Sequence, residues 1–242
     1  MSGTNNFDFL IPAFNEAGTL AVLIAGIREE GFAGEIVIVD DGSTDATADV
    51  AKSAAGVTVL SHSTNRGKGE ALKTGFNHLI GRSQAKEPNW IITMDADLQH
   101  LPASLSGFIE AAESGRFDLI IGARQRFGTA MPLHRRFSNG LTSRLMSLAT
   151  ARKIQDAQCG FRCIRLELLR SIKLSTSHYD LESELIFKAV RLGARIGWVD
   201  IPTTYNGASS GIHGVADTVR FVRLFWRHMT DALYREAANV SR

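Results

Sequence analysis

Residues 35–45 read EIVIVDDGSTD: an apolar β-branched run, then two acids, a glycine and residues suited to turns and helix starts. A short continuous apolar run closed by turn residues is the pattern of a strand buried on both faces. The same design recurs outward in both directions. Upstream, FDFLIPAFNE (7–16) reads as a strand over Phe7–Ile11 and a polar loop; downstream, Val57–Leu60 and Trp90–Met94, the latter within NWIITMDADLQHLP (89–102), repeat it. Between the runs lie helical periodicities. Leu20, Leu23, Ile24 and Ile27 recur at three- and four-residue steps before Gly31, while Ala46–Ala55, with Ser43 or Thr44 as N-cap, and Ala71–Ile80 give two more helices. Such alternation predicts right-handed βαβ units: an α/β, Rossmann-like, mostly parallel sheet flanked by helices.

The second half is less regular. Helices are expected over Pro102–Ser114, Arg136–Ala149, Asp180–Leu192 and Ala216–Ala237, with strands at Leu119–Gly122 and Ile196–Ile201. No repeat or low-complexity linker forces a boundary, so 242 residues read as a single compact domain. With 27 Lys+Arg against 25 Asp+Glu and 44% hydrophobic residues, the chain is neither disordered nor basic enough to argue for nucleic acid. Cys159 and Cys163, the only cysteines, suit two buried thiols in a reducing compartment. The opening MSGTNNFDFL lacks the basic and apolar regions of a signal peptide, and no apolar run approaches a membrane span; a soluble, cytoplasmic chain is expected.

Ligands of parallel sheets sit beyond the C-terminal strand ends, where this chain concentrates its acids. Asp41 at the second strand tip can accept from ribose hydroxyls or a base N–H, or can serve with Ser43 to cap the next helix. Neither early loop carries the glycine spacing of a dinucleotide or P-loop site. Asp95 and Asp97 are two apart, so an extended backbone would turn both to one side. With Gln99 they form a hard oxygen set suited to Mg²⁺ or Mn²⁺ and its phosphate ligands.

IPAFNE, VDDGSTD, NRGKGEALKTGF and MDADLQH, in this order and spacing, resemble the family 2 glycosyltransferases of the GT-A fold. IGAR, QDAQCGFRCIR and YDLESELIFKAVRLGARIGWVDIPTTY are similar to the polyprenyl-phosphate, dolichyl-phosphate mannose synthase-like branch. The resemblance implies that Pro12, Phe14 and Glu16 line a nucleoside pocket with Asp41 reading the base, and that Lys68 lies near the nucleotide. It implies that Asp95, Asp97 and Gln99 hold metal and diphosphate, that Arg124 with Arg135 or Arg136 holds an acceptor phosphate, and that Glu184 lies near the acceptor. It divides the chain into a nucleotide-sugar half (about 6–99), an acceptor half (100–213) and a C-terminal amphipathic helix (214–238). One departure stands out: relatives of that branch carry Arg and Lys in the loop after V-P-I-x-Y, whereas TYNGASSGIHGV has neither and offers only Ser209, Ser210 and His213.

The implied reaction is metal-dependent, inverting transfer of a sugar from a GDP- or UDP-sugar to a polyprenyl-phosphate lipid. A phosphate acceptor is already anionic and needs no strong base; a saccharide hydroxyl would need one, and Asp156 is the first candidate. The alternatives are that hydroxyl transfer and a non-catalytic nucleotide-sugar-binding protein. Of the acids opening the helix at Asp180, Asp180 and Glu184 share a face and Glu182 points nearly opposite; first-turn acids also complement the helix dipole. The last helix sets Val222, Phe225 and Trp226 beside Arg220, Arg223 and Arg227, a pattern suited to the inner face of the cell membrane, to the catalytic domain, or to a second copy of the chain.

Overall fold

The computed structural model describes residues 6–32, 34–82, 89–124, 133–202, 220–228 and 230; within 133–138 only the backbone is described. Its first half follows the apolar runs. Strand β1 (Phe7–Ala13) leads to helix α1 (Leu20–Glu29), β2 (Ile36–Asp40), α2 (Thr47–Ser53), β3 (Val57–Ser61), α3 (Lys68–Gly81) and β4 (Trp90–Thr93). Strands β1, β2 and β4 are almost wholly buried, which is why their sequences show no polar alternation. Leu20, Leu23, Ile24 and Ile27 are the buried stripe of α1, as their spacing predicts.

Helix α4 (Leu105–Glu113) follows a 3-10 turn at Pro102–Ser104, so the expected helix starts three residues late. Then come β5 (Leu119–Arg124), α5 (Leu133–Thr150), β6 (Arg162–Arg165), α6 (Leu166–Arg170), α7 (Asp180–Arg191) and β7 (Ile196–Ile201). Residues 220–228 form a last described helix, α8. The sheet order is β3-β2-β1-β4-β6-β5-β7. All pairings are parallel except those of β6, which runs antiparallel to β4 and β5. Strand β6 and helix α6 are absent from the sequence reading. Arg162 opens β6, yet it is 2% exposed, its guanidinium donating to the carbonyls of Ala157, Cys159 and Glu182 at 2.7–2.9 Å. A buried arginine satisfied by carbonyls has no periodicity signature.

The order reverses between β1 and β4, and the polar loops after β1, β2 and β4 meet at that rim. The loop after β5 and the TYNGASSGIHGV segment lie outside the described residues. Among the described residues no helix is long and apolar enough to cross a membrane.

Candidate active site

The loops after β1 and β2 are laced together. Asn15 takes a left-handed φ of 57°, which its short polar side chain tolerates. From there its Oδ1 accepts the Thr44 N–H at 2.8 Å, and its own N–H donates to Ser43 Oγ at 2.9 Å. The Glu16 N–H donates to Thr47 Oγ1 at 2.8 Å. Ser43 therefore serves this lacing rather than a cap; the N-cap position of α2 is Ala46, and Asp45 Oδ1 accepts the Thr47 N–H at 2.9 Å instead. Phe14 remains 42% exposed on the rim.

Asp41 is buried and ties down the NRGKG loop. It accepts the N–H of Arg66 at 3.0 Å and of Gly67 at 2.8 Å, and its Oδ1 lies 2.6 Å from His62 Nδ1. Gly67 has φ +94°, and a Cβ there would lie 2.4 Å from His178 Nδ1; only glycine fits the turn that opens α3. That turn delivers Lys68, the first residue of α3, to the rim.

Lys68 joins two elements. Its Nζ lies 2.5 Å from Asp95 Oδ1 and 2.8 Å from Glu182 Oε1 on α7, the latter an ion pair without hydrogen-bond alignment, and it sits over the Tyr179 ring. Burial works against the charge on Lys68, but Asp95, Glu182 and Tyr179 outweigh it and hold its pKa above the usual range. Burial likewise opposes ionisation of Asp95, yet Lys68, with lesser help from His100 and Arg124, keeps its carboxyl below the usual range. Asp97 is the counterpart: burial and then the Asp95 charge push its pKa up to about 6.

Asp95 and Asp97 do not sit on an extended strand as expected. Strand β4 ends at Thr93, and Leu98 adopts φ +56°, turning the Gln99 N–H back to Asp97 Oδ1 at 3.0 Å. The pair stays within electrostatic reach by way of this loop. Gly160 packs against the Asp95–Lys68 contact: a Cβ there would lie 2.6 Å from Asp95 Oδ2 and 2.7 Å from Lys68 Nζ. Gly160 is in turn fixed by its carbonyl, which accepts from Thr93 Oγ1 at 2.7 Å. QDAQCGF thus contributes a bare backbone face to the site, a role that no spacing rule had signalled.

Arg124, at the end of β5, grips Asp156 through Nε–Oδ2 at 2.7 Å and Nη2–Oδ1 at 2.8 Å. Burial raises and Arg124 more than offsets the Asp156 pKa, which ends below the usual range. His100 is buried behind them; burial lowers its pKa to about 4, so it stands neutral. Arg135 and Arg136 fall in the first turn of α5, but their side chains lie outside the described residues. Glu184 is turned away from Lys68. Its carboxylate accepts from the N–H groups of Ser175 and Thr176, both at 2.9 Å, and lies 2.7 Å from Lys188 Nζ. Glu182, the acid on the other face, is the one that meets the rim.

Among the described residues no three His, Cys, Asp or Glu side chains converge as a ready metal cage. The donor set nonetheless fits a hard cation that keeps open positions for phosphate oxygens. Of two neighbouring carboxylates, one is held protonated to about pH 6 by burial and then by its partner's charge, and a divalent ion would relieve that repulsion.

Solved structures of this shape are GT-A glycosyltransferases. Glucosyl-3-phosphoglycerate synthase from Mycobacterium tuberculosis, in complex with Mn²⁺, UDP and phosphoglyceric acid, superposes with a TM-score of 0.69 over 94% of this chain and 78% of that one. Sequence identity is 20%, so this likeness establishes the fold. The chain belongs to glycosyl transferase family 2, whose profile matches residues 8–173. Among its relatives, the undecaprenyl-phosphate mannosyltransferase of Micrococcus luteus is 30% identical over 81% of this chain and 82% of its own length. The polyprenol monophosphomannose synthase of Mycolicibacterium smegmatis is 28% identical over 84% and 78%. The chain is a glycosyltransferase, and the resemblance read from its motifs is borne out for family, branch and fold.

Proposed function

We propose that this glycosyltransferase moves a sugar, with inversion, from a GDP- or UDP-linked donor to a polyprenyl-phosphate acceptor, with Mg²⁺ or Mn²⁺ as cofactor. The observation that carries the choice of acceptor is the Arg124–Asp156 pair. The Asp156 carboxylate accepts two hydrogen bonds from the Arg124 side chain and a further one from the Gln158 N–H at 3.2 Å, and it is held ionised below the usual range. A base so engaged and so weak is poorly suited to deprotonating a saccharide hydroxyl. A phosphate monoester oxygen needs no such base, and an oriented guanidinium suits its recognition.

In this reading Phe14 offers its exposed ring to the base, Pro12 and Glu16 frame the nucleoside, and Asp41 holds the NRGKG loop in place beside it. Asp95, Asp97 and Gln99 would hold the cation, which supplies charge neutralisation and orientation of the departing diphosphate. Lys68 adds a fixed positive charge at the same place, with Glu182 as its second anchor. Arg124, with Arg135 and Arg136 near the start of α5, positions the acceptor phosphate. Residues 6–99 then form the donor half and 100–213 the acceptor half, while α8 lies at the inner membrane face.

The test is release of nucleoside diphosphate from a panel of GDP- and UDP-sugars with a short-chain polyprenyl phosphate, with Mg²⁺, Mn²⁺ or chelator. The expected result is metal-dependent release that requires the lipid phosphate and vanishes in Asp97→Ala. Equal release with the dephosphorylated polyprenol would overturn the acceptor assignment.

A further inference from the structure

Helix α8 packs along α7. Phe221 and Leu224 press α8 down at 8% and 4% exposure, and the His228 ring stacks on Phe187 with centroids 4.6 Å apart. The flank beside this seam carries Arg220, Arg223 and Arg227, three and four residues apart and therefore on one stripe. With Thr176, Asp180 and Leu224 they line an open cavity of about 270 Å³.

Among the described lining residues three guanidinium groups stand against one carboxylate, so this part of the wall carries an excess of positive side chains. Asp180 Oδ1 accepts the His178 N–H at 3.2 Å. Arg227 Nη2 is steadied by Ser175 Oγ at 2.9 Å and stands 3.6 Å from Glu184, whose own carboxylate is taken up by Lys188, Ser175 and Thr176. On the next stripe outward, Val222 and Trp226 are 42% and 63% exposed. Planar forks at cavity depth with an exposed tryptophan beside them match a helix lying in the headgroup layer, arginines level with the phosphates.

We propose that the cavity between α7 and α8 binds the headgroup phosphate of an anionic lipid, at a site separate from the reaction centre. Thr176 lines this cavity, whereas Tyr179 faces Lys68 on the other side of the same segment. The inference rests on the reading of α8 as the membrane-facing element and is independent of sugar transfer.

The test is co-sedimentation of the full chain with phosphatidylcholine vesicles, with and without phosphatidylglycerol. The wild type, Arg223→Gln, Trp226→Ser and Arg152→Gln are compared, Arg152 lining a different cavity with Ile196 and Trp198. Binding is expected only with phosphatidylglycerol. Arg223→Gln should weaken it about five-fold, the effect of one basic side chain near an anionic surface, Trp226→Ser should weaken it too, and Arg152→Gln should not. Nucleoside diphosphate release with a detergent-dispersed acceptor should be unchanged in Arg223→Gln, which separates failure of this site from failure of the transferase reading. Equal losses in Arg152→Gln and Arg223→Gln would mean diffuse charge attraction and overturn the site. So would a melting-temperature rise with inorganic phosphate and no vesicle binding, because the ligand would then be a soluble phosphate.

Discussion

The Arg124 guanidinium and the Asp156 carboxylate, 32 residues apart in sequence, meet edge to edge through two near-parallel hydrogen bonds, with side chains 13% and 3% exposed. Removing either partner leaves the other buried without its main counter-charge. Arg124→Ala should therefore cost stability, about 3–5 kcal/mol by analogy with other broken buried pairs, besides any loss of acceptor binding. Asp156→Asn should cost less stability but release Arg124 from its fixed orientation and reduce turnover. Activity alone cannot apportion the two roles. A double-mutant cycle by denaturant melts should give a coupling above about 1 kcal/mol; additive effects would mean that the pair is not formed.

Gly160 gives a cleaner way to disturb the Asp95–Lys68 contact. An added Cβ would meet the ends of two side chains, Asp95 Oδ2 at 2.6 Å and Lys68 Nζ at 2.7 Å, and both ends can swing aside. Gly160→Ala should fold with a melting temperature within a few degrees of wild type, roughly the shift of a sub-kcal/mol change. Turnover should fall at least about ten-fold, the consequence of roughly 1.4 kcal/mol lost from the transition state. Unaltered turnover would remove the Asp95–Lys68 contact from the catalytic centre.

The Asp97 carboxyl, raised to about 6, ties metal to pH. Between about pH 4 and 6 the folded chain holds a proton that the unfolded chain has lost, so this group makes stability fall as pH rises through that window. A divalent cation binds the ionised form. The rise in melting temperature on adding Mn²⁺ should be small near pH 5 and grow through about pH 6, and Asp97→Asn should abolish that growth. Thermal melts in Mn²⁺ and in chelator across this range provide the check.

The fold's first half was legible because its strands are continuous apolar runs and its helices carry clean stripes; β1 to β4 begin within a residue or two of where the sequence puts them. The acids at strand ends were legible for the same reason, since a sheet of this kind can present a site only at that rim. What escaped depends on contacts between distant segments. Arg162 looks like a solvent residue until the carbonyls of Ala157, Cys159 and Glu182 surround it. Helical spacing separated Glu182 from Glu184 correctly, yet which face turns to Lys68 is decided by how α7 packs, with acids buried on both sides.

That difference between the two glutamates predicts different losses. Glu182→Gln removes one of the two anions that hold Lys68, so it should lower turnover while leaving most of the stability, because Asp95 still pairs with the amine at 2.5 Å. Glu184→Gln should do the reverse. Its carboxylate, with a pKa near 2, is opposed by burial but secured by Lys188, by Ser175 and by the Thr176 N–H. Losing the charge should destabilise the protein by about 1–3 kcal/mol and loosen α8 through Arg227. Denaturant melts and steady-state turnover on both variants decide the matter, and loss of turnover in Glu184→Gln at full stability would move that residue into the reaction centre.

Acid should act on α8 through His228. Burial, followed by Arg191 and Arg227, lowers its pKa from 6.5 to about 4, and both ring nitrogens are buried without a hydrogen-bond partner among the described residues. Between those values the unfolded chain takes up a proton and the folded chain does not. The stabilisation is therefore complete above about pH 6.5 and lost as pH falls toward 4. His100 behaves alike in the same window, so wild-type melts alone do not distinguish them. His228→Phe keeps the stacking on Phe187 and removes the titration; its stability should fall less steeply than the wild type's between pH 6.5 and 4. A slope unchanged by the substitution would mean that α8 leaves its seat without any help from this histidine.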